Sequence, residues 1–178
     1  MAVRSEIAPI RKVLIHTPGS EHNYTLPKNT TEWVADESGQ LIHNPDYLLF
    51  DDIISPGGMA AEHNELENVL TAFTGKDHTY QFNDILVDTL QTPAQRQELY
   101  SACSTLDQKL YGTENSVDTQ QILDLETPDF AAVLLSGRIT NPVLETVFKW
   151  PLPNLIFTRD IAVTLNNTLV LTWGRWPA

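Results

Sequence analysis

The most distinctive stretch of the sequence runs from residue 151 to residue 160. Two prolines lead into it, and an amide (Asn154), an aromatic ring (Phe157), a cation (Arg159) and a carboxylate (Asp160) then follow within seven residues. An aspartate beside an aromatic ring suits a planar cation such as guanidinium, because the carboxylate accepts two parallel N–H bonds and the ring face attracts delocalised charge. A structural alternative is a Thr-Arg-Asp strand end with a local ion pair, in which Arg159 serves stability.

The spacing of these candidates constrains their use. Asn154, Phe157 and Asp160 are three residues apart, and a regular strand cannot present all of them on one face because its side chains alternate. Either the strand breaks around Thr158, or Phe157 contributes its backbone rather than its ring. The sequence leaves both options open.

Other residues capable of chemistry have weaker contexts. The doublet Asp51-Asp52 at a strand end could shape the field of a site, but a turn-capping role is favoured. Cys103 is the one cysteine, and its helical, polar stretch supplies no basic neighbour that would lower its pKa. His16 and His63 read as packing or capping residues, and the remaining histidines as loop residues. No pair has metal-ligand spacing, so neither a metal nor another cofactor is expected.

The elements that must position these residues follow from apolar patterning and turn signals. Strands are predicted at 12–16, 47–50 and 79–82, with a long loop over 20–45 and a helix from about residue 59 to Gly75. Residues 84–149 are predicted to be helical, at 84–90, 93–111, 117–125 and 128–136. Strands return at 155–158, 161–165 and 168–173, with a hairpin turn at Asn166-Asn167.

Composition narrows the class of protein. The 178 residues carry 11 Lys+Arg against 23 Asp+Glu, a formal net charge of −12, and 42% hydrophobic residues. The acidic balance argues against nucleic acid and anionic membrane as partners. No apolar run is long enough for a transmembrane helix, and no signal-peptide core is evident. The composition predicts a soluble, cytoplasmic protein, and the order of the predicted strands and helices predicts a mixed α/β fold.

Taken together, the motifs resemble those of the arginine deiminases, within the guanidine-modifying superfamily that also holds the amidinotransferases. The matching stretches follow one another along this chain in the same order as in the family. The matching stretches are Ser5-Glu6-Ile7, residues 11–19 (RKVLIHTPG), residues 48–52 (LLFDD), Glu62-His63, residues 153–160 (PNLIFTRD) and Trp176-Pro177-Ala178.

The resemblance implies a fold of ββαβ units arranged as an α/β propeller with an inserted helical subdomain. Residues 1–83 would form the first unit, 84–149 the helical insert, and 150–178 the start of a second unit. The family converts L-arginine and water to citrulline and ammonia through a cysteine thiolate, a histidine and two carboxylates. By motif, Asp160 is one of the guanidinium-binding carboxylates. Asn154 and Phe157 fall on substrate-pocket positions, and Leu49 near the pocket mouth.

The family's nucleophilic cysteine, its histidine and its second acid belong to a C-terminal part that the 178 residues do not contain. The resemblance therefore predicts an N-terminal portion that is inactive alone and whose partner is the missing C-terminal part of the same protein. An amidinotransferase fragment and a non-catalytic module that binds guanidino compounds or a protein remain alternatives. Self-association through the last strand, giving a homo-oligomer, is also expected.

Overall fold

The described residues form both α-helices and small two-stranded sheets, which confirms a mixed α/β architecture. The computed structural model describes residues 7–48, 54–112, 117–140 and 144–171, and within them the sheets form no closed barrel. The strands are β1 (Val13–Ile15), β2 (Trp33–Ala35), β3 (Leu41–His43), β4 (Thr79–Gln81), β5 (Arg138–Ile139), β6 (Glu145–Thr146), β7 (Ala162–Leu165) and β8 (Thr168–Leu171). The α-helices are α1 (Pro56–Thr74), α2 (Phe82–Thr89), α3 (Pro93–Tyr111), α4 (Thr119–Leu123) and α5 (Thr127–Ser136).

A strand–helix–strand unit organises the N-terminal part of the chain. Strands β1 and β4 pair in parallel, with Val13 opposite Thr79, and helix α1 makes the crossover that a parallel pair requires. The helix begins after Ser55, whose hydroxyl accepts a hydrogen bond from the Gly58 N–H at 3.4 Å, and ends at Gly75. These three predicted elements are confirmed, and the pairing brings the carboxyl ends of β1 and β4 to one edge.

The predicted loop over 20–45 is partly wrong, because it contains the antiparallel hairpin β2–β3. The Asp36 carboxylate closes the hairpin turn by accepting hydrogen bonds from the Ser38 and Gln40 N–H groups at 2.9 Å. Gly39 takes a positive φ of 83° within that turn. Tyr47 and Leu48 are buried but not in a strand, so the described part of the predicted 47–50 strand is also wrong.

The main hydrophobic core lies in the helical region, where all four predicted helices are present. Thr92 caps α3 through the Gln95 N–H, and Gly112 ends the helix with a left-handed backbone. The short pair β5–β6 within this region was not expected. The buried core residues are Leu90, Tyr100, Val117, Ile122, Phe130, Ala131, Val133, Leu134, Ile139, Val147 and Phe148.

The last described segment departs from the predicted strand at 155–158. Residues Pro153–Ile156 instead form a 3-10 helix, and a turn follows it. The antiparallel hairpin β7–β8 is present, and Asn166 has a positive φ of 52° in its turn. Across the described residues, none of the helices combines the length and the apolar character that spanning a membrane would demand.

Candidate functional site

Two successive four-residue turns, each closed by a hydrogen bond between residues three apart, carry the candidate guanidinium-binding residues. The Phe157 N–H donates to the Asn154 carbonyl, and the Asp160 N–H donates to the Phe157 carbonyl, each at 2.9 Å. Residues three apart are eclipsed in a 3-10 turn, whereas they fall on opposite faces of a strand. Asn154, Phe157 and Asp160 are therefore not on a regular strand, although Phe157, with φ −90° and ψ 61°, interrupts the 3-10 geometry between the two turns.

The segment that carries these residues is tied to two other elements. The Thr158 hydroxyl donates to the Leu14 carbonyl of β1 at 2.9 Å, across 144 positions of sequence. Further upstream, the Leu152 N–H donates to the Leu135 carbonyl of α5 at 2.8 Å, beside the buried rings of Pro151 and Pro153. The turns are thus held between β1 and α5.

The structure describes the surroundings of some candidate residues and not of others. Asp160 is exposed, Phe157 is 50% exposed, and Asn154 is half-buried, so all three lie where a ligand can reach them. Leu49 and the doublet Asp51-Asp52 lie outside the described residues. Three of the four predicted site residues therefore lie on one accessible segment, and their binding role stays a prediction.

A second group of chemically capable residues, which sequence reasoning missed, lies just after β1. Glu21 accepts hydrogen bonds at Oε1 from the His16 ring Nε2 at 3.0 Å and from the Gly19 N–H at 2.7 Å. His22 Nε2 lies 3.6 Å from the same oxygen. All three side chains are buried. The available signal was a histidine at a strand end followed by Pro-Gly and then Glu-His, which places two ionisable residues directly after a turn pair.

The charge states of this cluster follow from burial and hydrogen bonding. Burial by itself would raise the pKa of Glu21, but the hydrogen bonds from His16 and Gly19 outweigh it and hold that pKa below the ordinary 4.5. Burial lowers the pKa of His22 below 6.5, despite the opposing attraction of Glu21. At neutral pH, Glu21 is therefore ionised and His22 is neutral.

A hydrogen-bond network fixes the strand end from which His16 projects. Gln81 of β4 accepts from the Thr17 N–H at 3.1 Å and donates to the Thr17 hydroxyl at 2.9 Å and to Glu67 at 2.8 Å. The same hydroxyl lies 3.2 Å from His63 Nδ1, and burial lowers the pKa of His63. The contacts of His63 fit its predicted packing role. The parallel register of β1 and β4 makes this network possible.

A cavity of about 380 Å³ opens beside the cluster. Its walls come from the end of β1, the following turn, the start of α2, and α5. No residue of the 153–160 segment lines it. The lining residues are His16, Thr17, Gly19, Ser20, Glu21, Gln81, Asn83, Asp84, Ala132 and Leu135.

Cys103 does not have the surroundings of a reactive thiol. It lies on α3, packed against the hydrophobic core, and burial together with the charge of Asp107 raises the pKa of its thiol. A raised pKa leaves little thiolate at neutral pH, and the thiolate is the nucleophilic form. The sequence-based interpretation of Cys103 as a structural thiol agrees with this environment.

Comparison with known proteins gives a distant similarity to a curated enzyme. No model of a known protein family matches the chain. Arginine deiminase of Mycobacterium avium (strain 104) is 23% identical over 188 aligned residues, which cover 96% of this chain. The chain is distantly related to that arginine deiminase. It spans 42% of the length of this curated relative.

Proposed function

We propose that the chain forms part of a hydrolase of the arginine deiminase type, which converts L-arginine and water to citrulline and ammonia. The observation that carries this proposal is the similarity to arginine deiminase along 96% of the chain. It agrees with the PNLIFTRD motif at 153–160, whose aspartate and aromatic ring suit a guanidinium group.

In this proposal, Asp160 holds the substrate guanidinium through charge-assisted hydrogen bonds. Asn154 and Phe157 line the same pocket, and Leu49 lies near its mouth. The accessible turns at 154–160 support the assignment, as does their attachment to β1 through Thr158. A carboxylate on a tethered turn binds a planar cation with less loss of conformational freedom than one on an untethered loop.

The chain's own residues do not supply the covalent step. A deiminase of this type needs a thiolate to attack the guanidinium carbon, and the thiol of Cys103 is packed against the core with a raised pKa. We therefore propose that the chain binds but does not hydrolyse arginine, and that further residues of the same protein supply the nucleophile.

The fold proposal follows the same similarity. Residues 1–83 would form a first ββαβ unit of an α/β propeller, 84–149 a helical insert, and 150–178 the start of a second unit. The parallel pair β1–β4 with its crossover helix α1 supports the first unit, and α2–α5 support the insert. An amidinotransferase fragment, which would transfer the amidino group to an amine instead of water, is the alternative, and the helical insert and the residues 49–52 (LFDD) favour the deiminase over it.

A second candidate function is binding without catalysis. The thiol of Cys103 lies in unreactive surroundings, and Asp160 is exposed. Both observations favour a module that binds guanidino compounds and has no catalytic nucleophile. The two functions make different predictions for an enzyme that contains this chain, since only the first expects citrulline.

The test is an NMR titration of the chain with L-arginine, comparing the Asp160→Asn variant with Asp88→Asn as a matched control on the exposed face of α2. We expect weak, saturable shifts at residues 154–160 that disappear in D160N and persist in D88N. Thr158→Val should weaken these shifts and Thr158→Ser should retain them, because serine keeps the hydroxyl that bonds Leu14. Equal binding by D160N and the parent chain would refute the assignment of Asp160.

A citrulline assay separates catalysis from binding. The chain should form no citrulline, and turnover that survives Cys103→Ala would mean that the nucleophile has been misplaced. In an enzyme that contains this chain, Asp160→Ala should lower kcat/KM by about two to four orders of magnitude, because two charge-assisted hydrogen bonds of roughly 1.5–3 kcal/mol each are lost.

A further inference from the structure

Two histidines and one glutamate form a buried cluster around the short 3-10 helix Ser20–Tyr24, which we call the 20–24 turn. The ring Nε2 atoms of His16 and His22 lie 3.0 and 3.6 Å from the same oxygen of Glu21. The three side chains are at most 2% exposed. Two imidazole rings therefore share one carboxylate oxygen away from water.

The carboxylate of Glu21 has little capacity left for a positive charge on His22. It already accepts hydrogen bonds from His16, from the Gly19 N–H and from its own backbone N–H. The Nε2 atom of His22 lies 3.6 Å from it, which is longer than a hydrogen bond. A proton on His22 is thus a buried charge that this contact compensates only in part, and burying a charge without close pairing is costly.

The charges of the surrounding elements leave that balance in place. The 20–24 turn packs against α5 and α1. Burial lowers the pKa of His22 below 6.5, attraction to Glu21 opposes this, and repulsion from His16 adds to it. Glu67 of α1 attracts a proton on His63 instead. Further charged groups near the turn are Asp129, exposed on α5, Asp84, exposed at the cavity, and Arg138, whose guanidinium lies 5.4 Å from the centre of the Tyr24 ring. In the closed turn, His22 is therefore neutral at neutral pH.

The backbone of the 20–24 turn holds it in place only weakly. The His22 N–H donates to the Gly19 carbonyl at 3.3 Å, and the Thr25 N–H donates to the His22 carbonyl at 3.4 Å. Both bonds are longer than the usual length of about 2.9–3.0 Å. Glu21 also lines the cavity of about 380 Å³ together with Leu135 of α5. The position of the turn on α5, and with it the shape of the cavity, therefore depends on the buried side-chain cluster.

We propose that the cluster of His16, Glu21 and His22 is a pH-sensitive latch, which holds the 20–24 turn on α5 at neutral pH and releases it in mild acid. In the closed turn the His22 ring is buried and neutral, whereas in the open turn water solvates its charged form. Proton uptake favours the state that binds the proton more tightly, which is the open one. Release widens the cavity, because Glu21 moves away from Leu135. The proposal does not depend on the arginine chemistry, since no residue of 153–160 belongs to the cluster or lines the cavity.

The test is amide hydrogen exchange of the full chain at pH 7.5 and pH 5.0, followed by NMR and corrected for the intrinsic exchange rate at each pH. We expect the protection of the His22 and Thr25 amides to fall by up to about thirtyfold, since an open-state pKa of about 6.5 lies about 1.5 units above pH 5.0. Amides of α3, such as that of Tyr100, should exchange more slowly than the turn amides at both pH values. Addition of about 1 M urea should accelerate exchange on α3 and leave the turn amides unchanged, because a local opening exposes little surface.

Two variants assign the response to His22. His22→Gln keeps a polar side chain that takes up no proton, so the protection of its turn amides should change less than about twofold between the two pH values. His78→Gln is the matched control, because His78 is exposed and lies outside the cluster, and it should lose as much protection as the parent chain. Constant protection of the turn in the parent chain, equal exchange rates in the turn and on α3, or a parent-like response of H22Q would each overturn the proposal.

A second measurement needs no variant and decides the matter if H22Q does not fold. The ring protons of His22 in the parent chain are followed by NMR from pH 8 to pH 5. We expect a pKa below 6.5 for His22, because the closed turn disfavours its charged form. A pKa at or above 6.5 would overturn the proposal, since protonation would then stabilise the closed turn rather than release it.

Discussion

Replacing Gly137 with alanine should destabilise the chain by about 2–5 kcal/mol, although the change adds a single methyl group. Gly137 follows α5 with a positive φ of 71°. A Cβ there would lie 2.7 Å from the Phe148 carbonyl oxygen and 3.2 Å from that of Trp150. Both are backbone atoms, which cannot rotate away as the end of a flexible side chain can. Alanine therefore meets a strained backbone and an occupied space together.

The magnitude has two physical sources. The left-handed backbone costs a non-glycine residue about 1–2 kcal/mol. The clash must push the 147–150 backbone away, which weakens the hydrogen bonds that the Gly137 carbonyl accepts from the Val147 and Phe148 N–H groups at 2.9 and 3.1 Å. Each such bond contributes about 0.5–1.5 kcal/mol. The upper half of the predicted range requires both bonds to be lost.

Gly112 is a matched control because it shares the backbone conformation without the crowding. It ends α3 with a φ of 62°, and a Cβ there would meet no atom of the described residues within 4 Å. Gly112→Ala should therefore cost only the backbone term, about 1–2 kcal/mol. The difference between the two variants isolates the clash at Gly137.

Urea unfolding followed by circular dichroism measures both variants, with stability compared at equal m-values. A Gly137→Ala loss no larger than that of Gly112→Ala would refute the packing argument. The 151–160 segment provides a second readout, since it is attached to α5 next to Gly137 through the Leu152 and Leu135 backbones. Amide shifts at 154–160 should change in G137A and stay constant in G112A.

Two further predictions concern stability. The free energy of unfolding should fall as pH drops below about 6.5, because burial lowers the pKa of His22 and His63 and the unfolded chain then takes up protons first. A urea midpoint that stays constant from pH 8 to pH 5 would contradict the histidine prediction. The free energy of unfolding should fall further below pH 4.5, because the pKa of Glu21 is lowered in the folded state and the unfolded chain again takes up the proton first. Asn166→Ala should cost about 1 kcal/mol for its positive φ of 52°, while Asn167→Ala should change the urea midpoint little.

Local signals in the sequence were sufficient for most helices and for the β7–β8 hairpin. The sequence predicted α3 at 93–111, and its ends depend on residues within one turn, because Thr92 caps its start and Gly112 ends it with a left-handed backbone. The Asn166-Asn167 turn was readable for the same reason. The β2–β3 hairpin was missed because its strands have only three residues each and its turn depends on the Asp36 side chain.

The candidate site, too, was predicted in part from the sequence and decided in part by the tertiary structure. The residue types at 153–160 predicted a guanidinium-binding segment, and whether those residues bind guanidinium stays a prediction. That the segment is a 3-10 helix and a turn was decided by tertiary contacts, since Thr158 bonds Leu14 from 144 positions away. The buried Glu21 cluster and its cavity depend on the pairing of β1 with β4 and on the packing of α5. Such contacts between distant parts of the chain leave no local pattern in the sequence, because the residues become neighbours only when the chain folds.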